Sequence, residues 1–332
     1  MPHVSLDTAV GPVDMQYFIA TPTENDAQRI DPSRPTVVLI HSTLIGADIF
    51  VSQFADPALR QCNLVAPMLR GHGATQGPPL VESYTHQPIA DDVALLMRAL
   101  QLPACHIVGL AVGANVAMEL AVAHPDLVAS LTLCSPLALH EPEGNIQARK
   151  EMCGYWEEAY HKDAQNPDIS LIQDAFYGAE QMMFSNRYSD VRSVQAVTKS
   201  SMDYASTNWA PEPEKVMSAT VSVNQWHSAR PRSGRDAWRA FLAKISQPVQ
   251  IIYFDDDVQY GLPVREELEV APASSAEEVA SSIAEEIAAS SNDEVAPASS
   301  TDEAAAPSST EDVVALHKVQ GTCYGVLVSA EE

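Results

Sequence analysis

Short apolar runs alternate with stretches of helical periodicity along the first 140 residues. Four of the runs are typical of strands buried on both faces, at 35–40, 63–66, 106–110 and 131–134. Between them, 89–100 and 114–123 place apolar residues three and four positions apart, which predicts helices. This alternation predicts a parallel sheet wrapped by helices through right-handed crossovers. Ahead of it, 4–10 and 13–20 predict a hairpin across a Gly-Pro dipeptide.

The pattern changes after the first 140 residues. Aromatic, methionine and amide side chains are scattered through helical-length stretches in 141–235, which predicts a helical cap inserted into the core. Strand patterns return at 248–254 and 313–319. Between these strands, 261–312 is rich in Ala, Ser, Glu and Pro, and the heptapeptide EVAPASS occurs twice. Such a segment cannot bury enough apolar surface to offset its ordering entropy, so we predict a disordered insertion. The predicted core therefore has three parts, 1–140, 236–260 and 313–332.

The charge of the chain is strongly negative and unevenly distributed. Lys and Arg number 19 against 44 Asp and Glu, which gives a formal net charge of −25. The stretch 266–312 holds 13 of the acids and no Lys or Arg. A surplus of this sign argues against a nucleic-acid partner, because phosphate binding needs a basic face. It also argues against an anionic membrane surface as partner.

The remaining compositional features concern the compartment. No stretch approaches the roughly 18 consecutive apolar residues of a membrane span. The first residues have neither a basic region nor an apolar core, so we expect no secretory signal. The five cysteines have no regular spacing and do not form a disulfide framework. We therefore expect a cytoplasmic protein with reduced thiols.

The segment HIVGLAVGAN at 106–115 carries the most specific motif of the chain. A predicted strand, a tight turn and a predicted helix follow one another, and Gly109 and Gly113 flank Ala111. The segment resembles the nucleophile elbow, G-x-S-x-G, of the α/β-hydrolase superfamily, in which the middle residue projects above the sheet edge. Here an alanine stands where that motif has serine.

Three further segments resemble the same superfamily in the same order. VLIHS at 38–42 resembles the strand and His-Gly turn before the oxyanion loop, with Ser42 in place of glycine. APMLRGHG at 66–73 resembles the D-x-R-G-x-G turn, with Met68 in place of aspartate. HP at 124–125 and LTLCSP at 131–136 resemble the helix end and strand after the elbow. Within the superfamily the chain resembles fungal α/β-hydrolase-like proteins most. The resemblance implies an α/β-hydrolase fold, with a mostly parallel twisted sheet, helices on both faces and a helical cap.

Two positions of the catalytic triad that the resemblance implies carry no suitable group. Ala111 takes the nucleophile position, and its methyl group cannot attack a carbonyl carbon. Cys323 takes the base position in the segment GTCYG, or Tyr324 does if the register shifts by one, and neither is an imidazole. Loss of the nucleophile or base of such a triad lowers kcat by about 10⁶-fold. The residues therefore predict a pseudo-hydrolase with a degenerate triad.

The other implied positions are retained. Asp257 fits the acid position after the strand at 248–254 best, and Asp255 and Asp256 are close alternatives in register. The backbone N–H groups of Thr43 and Val112 are the implied donors of the oxyanion hole, and they depend on the path of the chain rather than on side chains.

Several other polar residues near this region have two interpretations. His41 could be catalytic, but we expect it to brace the turn after its strand. Cys134 and Cys323 could form a metal or redox site with the acid. We prefer two small buried residues that fill a vacated pocket, because structural metal sites usually have four ligands, and we expect no metal or cofactor. Ser42 and Ser135 could be displaced nucleophiles, although no base is visible for either.

Three functions are compatible with these residues. The preferred one is a pseudo-hydrolase whose pocket between sheet and cap binds a small hydrophobic molecule. The second is an active, esterase-like hydrolase or another enzyme of this fold that uses non-standard residues. The third is an interaction scaffold that binds a protein partner through the acidic tract or through a sheet face left uncovered by a short C-terminus. Asp91 and Asp92 could form an acid pair, but we expect them to be solvated near the start of a predicted helix, where the helix dipole favours them.

Overall fold

The computed structural model describes residues 2–78, 85–137, 139, 141–184, 192–228, 234–254, 257 and 259, with the backbone of 314–319. The strands within this part are β1 His3–Thr8, β2 Gly11–Ala20, β3 Thr36–Ile40, β4 Asn63–Pro67, β5 Cys105–Leu110, β6 Val128–Cys134, β7 Val249–Phe254 and β8 Val314–Val319. The helices are α1 Val51–Ala55, α2 His86–Ala99, α3 Val112–Ala123, α4 Glu143–His161, α5 Ile169–Phe184, α6 Arg192–Asn208, α7 Pro213–Ser228 and α8 Arg235–Leu242. The predicted insertion at 261–312 and Cys323 lie outside the described residues.

The eight described strands form one mostly parallel sheet in the order β1-β2-β4-β3-β5-β6-β7-β8. The hairpin β1–β2 and the pair β2–β4 are antiparallel, and the remaining neighbours are parallel. The predicted parallel sheet and the predicted hairpin are therefore confirmed, although the Gly-Pro dipeptide belongs to β2 rather than to the turn.

The strand order reverses beside β3. From β3 the chain passes to β4 on one side and then returns to β5 on the other, so the carboxyl ends of β3 and β5 flank a topological switch point. Open α/β sheets bind ligands at such a point. The register places Ile40 opposite Gly109 and Leu110 opposite Cys134, which aligns the ends of β3, β5 and β6.

Helix α3 follows the end of β5 and packs against β5, β6 and β3. Its residues from Val112 to Ala121 are all buried, and most of them are small or apolar, as expected of a helix enclosed by protein. The polar exceptions are Asn115, which accepts a hydrogen bond from the N–H of Leu137 at 3.1 Å, and Glu119. In α8, Trp238 and Phe241 are buried and their rings are stacked, with centroids 5.6 Å apart.

Helices α4 to α7 lie between β6 and α8 in the chain, within the range predicted for the cap. Arg149 of α4 is buried and forms an ion pair with Glu141, and its Nε donates to Asn224 of α7 at 3.2 Å. A buried charge needs such a partner, so this network joins the two helices to the segment that leaves the core. Within the described residues, no helix combines the length and the apolar character needed to cross a lipid bilayer.

Candidate functional site

Ala111 occupies the turn between β5 and α3. Its backbone has φ 49° and ψ −111°, a conformation that residues other than glycine rarely adopt. The N–H of Ala111 donates to the carbonyl oxygen of Cys134 at 2.8 Å, and its own carbonyl accepts from Ala114 at 2.9 Å. The residue is only 1% exposed. The turn therefore keeps a strained shape that presents a methyl group, which has no lone pair with which to attack a carbonyl carbon.

The two glycines of the motif are required by close backbone contacts. A Cβ atom at Gly109 would lie 2.5 Å from Cα of Ala114, and one at Gly113 would lie 2.2 Å from the carbonyl oxygen of Ile40. Backbone atoms cannot move away as a flexible side chain can. The G-x-x-x-G spacing is therefore a packing requirement of the strand, turn and helix, independent of any chemistry at Ala111.

The backbone groups implied as oxyanion donors lie at adjacent strand ends. Thr43 follows β3 and Val112 is the first residue of α3, and both are buried. The N–H of a first helical residue has no acceptor within its helix, so Val112 can offer it to a ligand. The loop 41–46, which we call the oxyanion loop, contains Leu44 in the left-handed region with φ 67°.

His41 binds two segments of the core together. Its Nδ1 donates to the carbonyl oxygen of Ser42 at 2.6 Å, and its Nε2 accepts from the N–H of Leu69 at 2.9 Å. Both nitrogens are thus used by the backbone, and burial lowers the pKa of His41 well below its ordinary value. The side chain braces the oxyanion loop against the turn after β4 and has no nitrogen left for catalysis.

His72 lies beside His41 under the cap. The two ring centroids are 4.8 Å apart, and the His72 ring also contacts Tyr204 and Trp209, each at 5.7 Å. Burial lowers the pKa of His72 to about 4. Both imidazoles are therefore neutral at pH 7.

Asp257 and Ser135 meet at the ends of β7 and β6. The Ser135 hydroxyl donates to Oδ2 of Asp257 at 2.5 Å, and the N–H of Gln259 donates to Oδ1 at 2.9 Å. Ser135 has φ 45°, and its N–H donates to the carbonyl of Ile252 at 3.0 Å. Ser135 is one strand away from Ala111, since β5 and β6 are neighbours. The alternatives Asp255 and Asp256, and the predicted base Cys323, lie outside the described residues.

The thiols near the site belong to buried side chains. Cys134 is buried at the end of β6. Burial raises the pKa of Cys153, in the cap, to about 12, so this thiol stays protonated and is a poor nucleophile or metal ligand. Among the residues that the structure describes, no three His, Cys, Asp or Glu side chains are arranged to hold a metal ion.

Helix α6 fastens the cap to the core over this site. Three side chains of α6 donate hydrogen bonds to core atoms: Ser200 to Asp48 at 2.8 Å, Tyr204 to the Leu44 carbonyl at 2.8 Å, and Asn208 to the Gly73 carbonyl. Trp209, which follows the helix, donates a fourth bond, to the Gly71 carbonyl, at 2.7 Å. Because Ser200, Tyr204 and Asn208 are spaced four residues apart, their three bonds fall on one helix face. They hold the cap against the oxyanion loop.

A small cavity lies within the cap beside the oxyanion loop. Its volume is about 30 Å³, and Leu44, Trp156, Phe176 and Trp209 are among the mostly apolar side chains that line it. This volume suits a group of only a few atoms. Ala111 is not part of its wall.

Sequence reasoning missed the partner of Asp92. Its carboxylate forms a buried ion pair with Arg70, with Nε to Oδ2 at 2.5 Å, so the expectation that it is solvated is wrong. Asp91, in contrast, is about half exposed, and its Oδ1 lies 2.8 Å from Nε2 of His124. The arginine in the turn that resembles D-x-R-G-x-G was the available signal, because a buried arginine needs an acid.

Comparisons with known proteins agree on the fold. A sequence profile described as alpha/beta hydrolase fold matches residues 35–258. The chain is similar to RutD of Caulobacter vibrioides, which carries the name of a carbamate hydrolase, with 33% identity over 108 residues, 32% of this chain and 39% of that protein. It is also similar to a dihydrolipoyllysine-residue acetyltransferase component of an acetoin cleaving system from Cupriavidus necator, with 37% identity over 35% of this chain and 33% of that protein. The chain thus matches less than half the length of these curated relatives.

Solved structures give the same picture at low sequence identity. A thermophilic esterase from Thermogutta terrifontis superposes with a TM-score of 0.62 at 15% identity, over 100% of this chain and 94% of that one. The enol-lactonase from Burkholderia xenovorans superposes with a TM-score of 0.57 at 18% identity, over 81% of this chain and 87% of that one. At these identities the likeness concerns the fold alone.

Proposed function

The chain belongs to the alpha/beta hydrolase fold family, and on that premise we propose that it is a pseudo-hydrolase, a member that keeps the site but does not cleave esters there. One observation carries the proposal: Ala111 occupies the strained turn of the elbow, buried and without a nucleophilic atom. Removal of the nucleophile from such a triad lowers kcat by about 10⁶-fold, equivalent to about 8 kcal/mol of transition-state stabilisation.

The surroundings of Asp257 support the same proposal. In a working triad the acid orients an imidazole. The donors to this carboxylate that the described residues show are the Ser135 hydroxyl and the N–H of Gln259, and neither can take up a proton near neutral pH as imidazole does. With Cys323 at the base position of the sequence, the degenerate triad that we propose lacks both nucleophile and base.

Binding is the role that remains for such a site. The mostly apolar cavity of about 30 Å³ in the cap favours a small hydrophobic ligand, and a larger one would require the cap helices to separate. A protein partner of the acidic tract at 261–312, a cytoplasmic location and the fungal affinity of the sequence stay predictions.

A labelling experiment tests the proposal. A fluorophosphonate probe, which reacts with activated serines, should not label the full-length protein, and p-nitrophenyl acetate should be hydrolysed no faster than by the heat-denatured protein. Ala111→Ser alone should leave both results unchanged, because no base is supplied. Ala111→Ser combined with Cys323→His should produce labelling if both positions are assigned correctly. Labelling of the unaltered protein at any residue would contradict the proposal.

A second candidate is an active hydrolase that uses Ser135. The observation that favours it is the 2.5 Å hydrogen bond from the Ser135 hydroxyl to Asp257 at the carboxyl edge of the sheet. The named activities of similar proteins suggest an ester, lactone or carbamate as substrate. A carboxylate is a weak base for an alcohol, so turnover would be slow. Labelling that Ser135→Ala abolishes and Ser42→Ala does not would favour this candidate over the pseudo-hydrolase.

A further inference from the structure

A groove of about 490 Å³ runs between α4 and α5 on the cap. Glu151 and Tyr155 of α4 line one side, Asp174 and Tyr177 of α5 line the other, and Gln259 closes one end. The volume falls within the roughly 300–1,000 Å³ typical of small-molecule sites. No residue of the elbow or of the oxyanion loop contributes to it. The groove adjoins the candidate site at Gln259, whose N–H donates to Asp257.

The closed end of the groove is held by hydrogen bonds. The side chain of Gln259 donates to the carbonyl oxygen of Met182 at 2.9 Å, and its backbone carbonyl accepts from the side chain of Asn145. These bonds connect Gln259 to both helices. The groove is therefore preformed rather than an accidental gap between two loosely placed helices.

The charge of the groove has a single sign. Both carboxylates lie in its lining, and none of its lining residues within the described part of the chain is Lys, Arg or His. Arg149 is close by in α4, but it is buried and paired with Glu141. The Tyr155 hydroxyl donates to Glu151 at 3.2 Å. This hydrogen bond and the nearby charge of Asp174 raise the pKa of Tyr155, as expected where negative charges act on the same space.

The uncharged surfaces of the groove suit an organic body rather than a bare metal ion. Two phenol rings flank it, and Tyr177 is 59% exposed, so its ring is open to a ligand. Aromatic faces attract ammonium and guanidinium groups. Met152 and Gly178 provide an apolar floor, on which an alkyl or aromatic group can rest.

We propose that this groove binds a small organic cation, an ammonium or amidinium group carried on an aromatic or alkyl body. The cationic group lies between Glu151 and Asp174, and the body packs on the floor beside the tyrosines. The proposal does not depend on whether the chain hydrolyses any substrate.

Calorimetric titration of the full-length protein with benzylamine tests the charge requirement. Benzyl alcohol is the neutral match of nearly the same shape. At low ionic strength we expect one benzylamine per chain, bound at least tenfold more tightly than benzyl alcohol, and weaker binding as salt is added. Glu151→Gln and Asp174→Asn should each weaken benzylamine binding about fivefold or more. Asp126→Asn makes the same charge change outside the cap, at a side chain that is 70% exposed. It should weaken benzylamine binding less than twofold.

A steric variant tests the location without altering charge. A Cβ at Gly178 of α5 would lie 3.8 Å from Met152, in ordinary contact. A Cβ at Gly154 of α4 would have no atom within 4 Å. Gly178→Leu should fill the floor and abolish binding, and Gly154→Leu should leave it unchanged. Absence of saturable benzylamine binding, equal affinity for benzyl alcohol, or equal losses in the groove variants and their controls would each overturn the proposal.

Discussion

Acidification should destabilise the protein through the buried imidazole of His72. Burial lowers its pKa in the folded state to about 4, whereas an unfolded chain has a histidine pKa of about 6.5. The unfolded state therefore binds more protons between these values, and stability falls as the pH falls. The stability is fully present above about pH 6.5 and is lost down to about pH 4. The full difference of about 2.5 pKa units corresponds to about 3 kcal/mol, of which about 2 kcal/mol is lost by pH 5.

The measurement is urea unfolding at several pH values from 7.5 to 5.0. His72→Phe removes the titrating group and keeps a ring between Tyr204 and Trp209. Its free energy of unfolding should depend on pH less than that of the unaltered protein, by about 2 kcal/mol over this range. Any constant loss from altered packing cancels, because only the pH dependence is compared. His41, whose pKa is also lowered by burial, contributes in the same direction in both proteins.

A variant that alters the same packing without removing an imidazole supplies the control for this prediction. Tyr204→Phe keeps a ring against His72 and should leave the pH dependence of unfolding between pH 7.5 and 5.0 unchanged. The reasoning would be refuted if His72→Phe and the unaltered protein lost the same free energy between pH 7.5 and 5.0. Such a result would mean that His72 is not a buried neutral imidazole.

Three further predictions concern packing and buried charge. Gly113→Ala places a methyl group 2.2 Å from a backbone oxygen of β3 and should cost about 2–3 kcal/mol in urea unfolding. Asp92→Asn leaves Arg70 buried beside a neutral group and should cost about 3–5 kcal/mol by the same assay, whereas Asp91→Asn on the exposed side of α2 should cost less than about 1 kcal/mol. Tyr204→Phe removes the hydrogen bond to the oxyanion loop and should cost about 1 kcal/mol, with faster amide hydrogen exchange in residues 43–46 but not in β1.

The local pattern of apolar and polar residues was sufficient to predict most strands of the core. It failed for side chains whose burial depends on a partner from a distant part of the chain. The strands β3, β4, β5 and β6 were predictable as short apolar runs, because a parallel strand covered on both faces leaves no polar position to water. Asp92 was predicted to be solvated, because it lies near the start of a predicted helix, where the helix dipole favours a negative charge. Its buried position depends on Arg70, which reaches it from a turn 22 residues earlier.

The cap also shows that contacts between distant segments could not be predicted from the sequence. Its helical character was predicted from the length and composition of its stretches, but the contacts of Tyr204 and Trp209 with the oxyanion loop and the turn at 71–73 were not. Those contacts join residues more than 130 positions apart. A single sequence records which face of a helix is apolar, and it does not record which distant carbonyl that face meets.

The sequence by itself determined the strand, turn and helix around Ala111, where Gly109 meets a steric demand set by its chain neighbours Gly113 and Ala114. The demand at Gly113 comes instead from Ile40 of β3, which the fold brings beside it. The sequence also determined that no hydroxyl stands at that turn.

Only the tertiary structure decided that Ser135 donates to Asp257 across 122 residues of chain, and that both carboxylates of the cap groove face the same space. The physical reason is that backbone geometry is set by neighbours along the chain, whereas the partner of a polar side chain is set by whichever segment the fold brings within hydrogen-bonding distance.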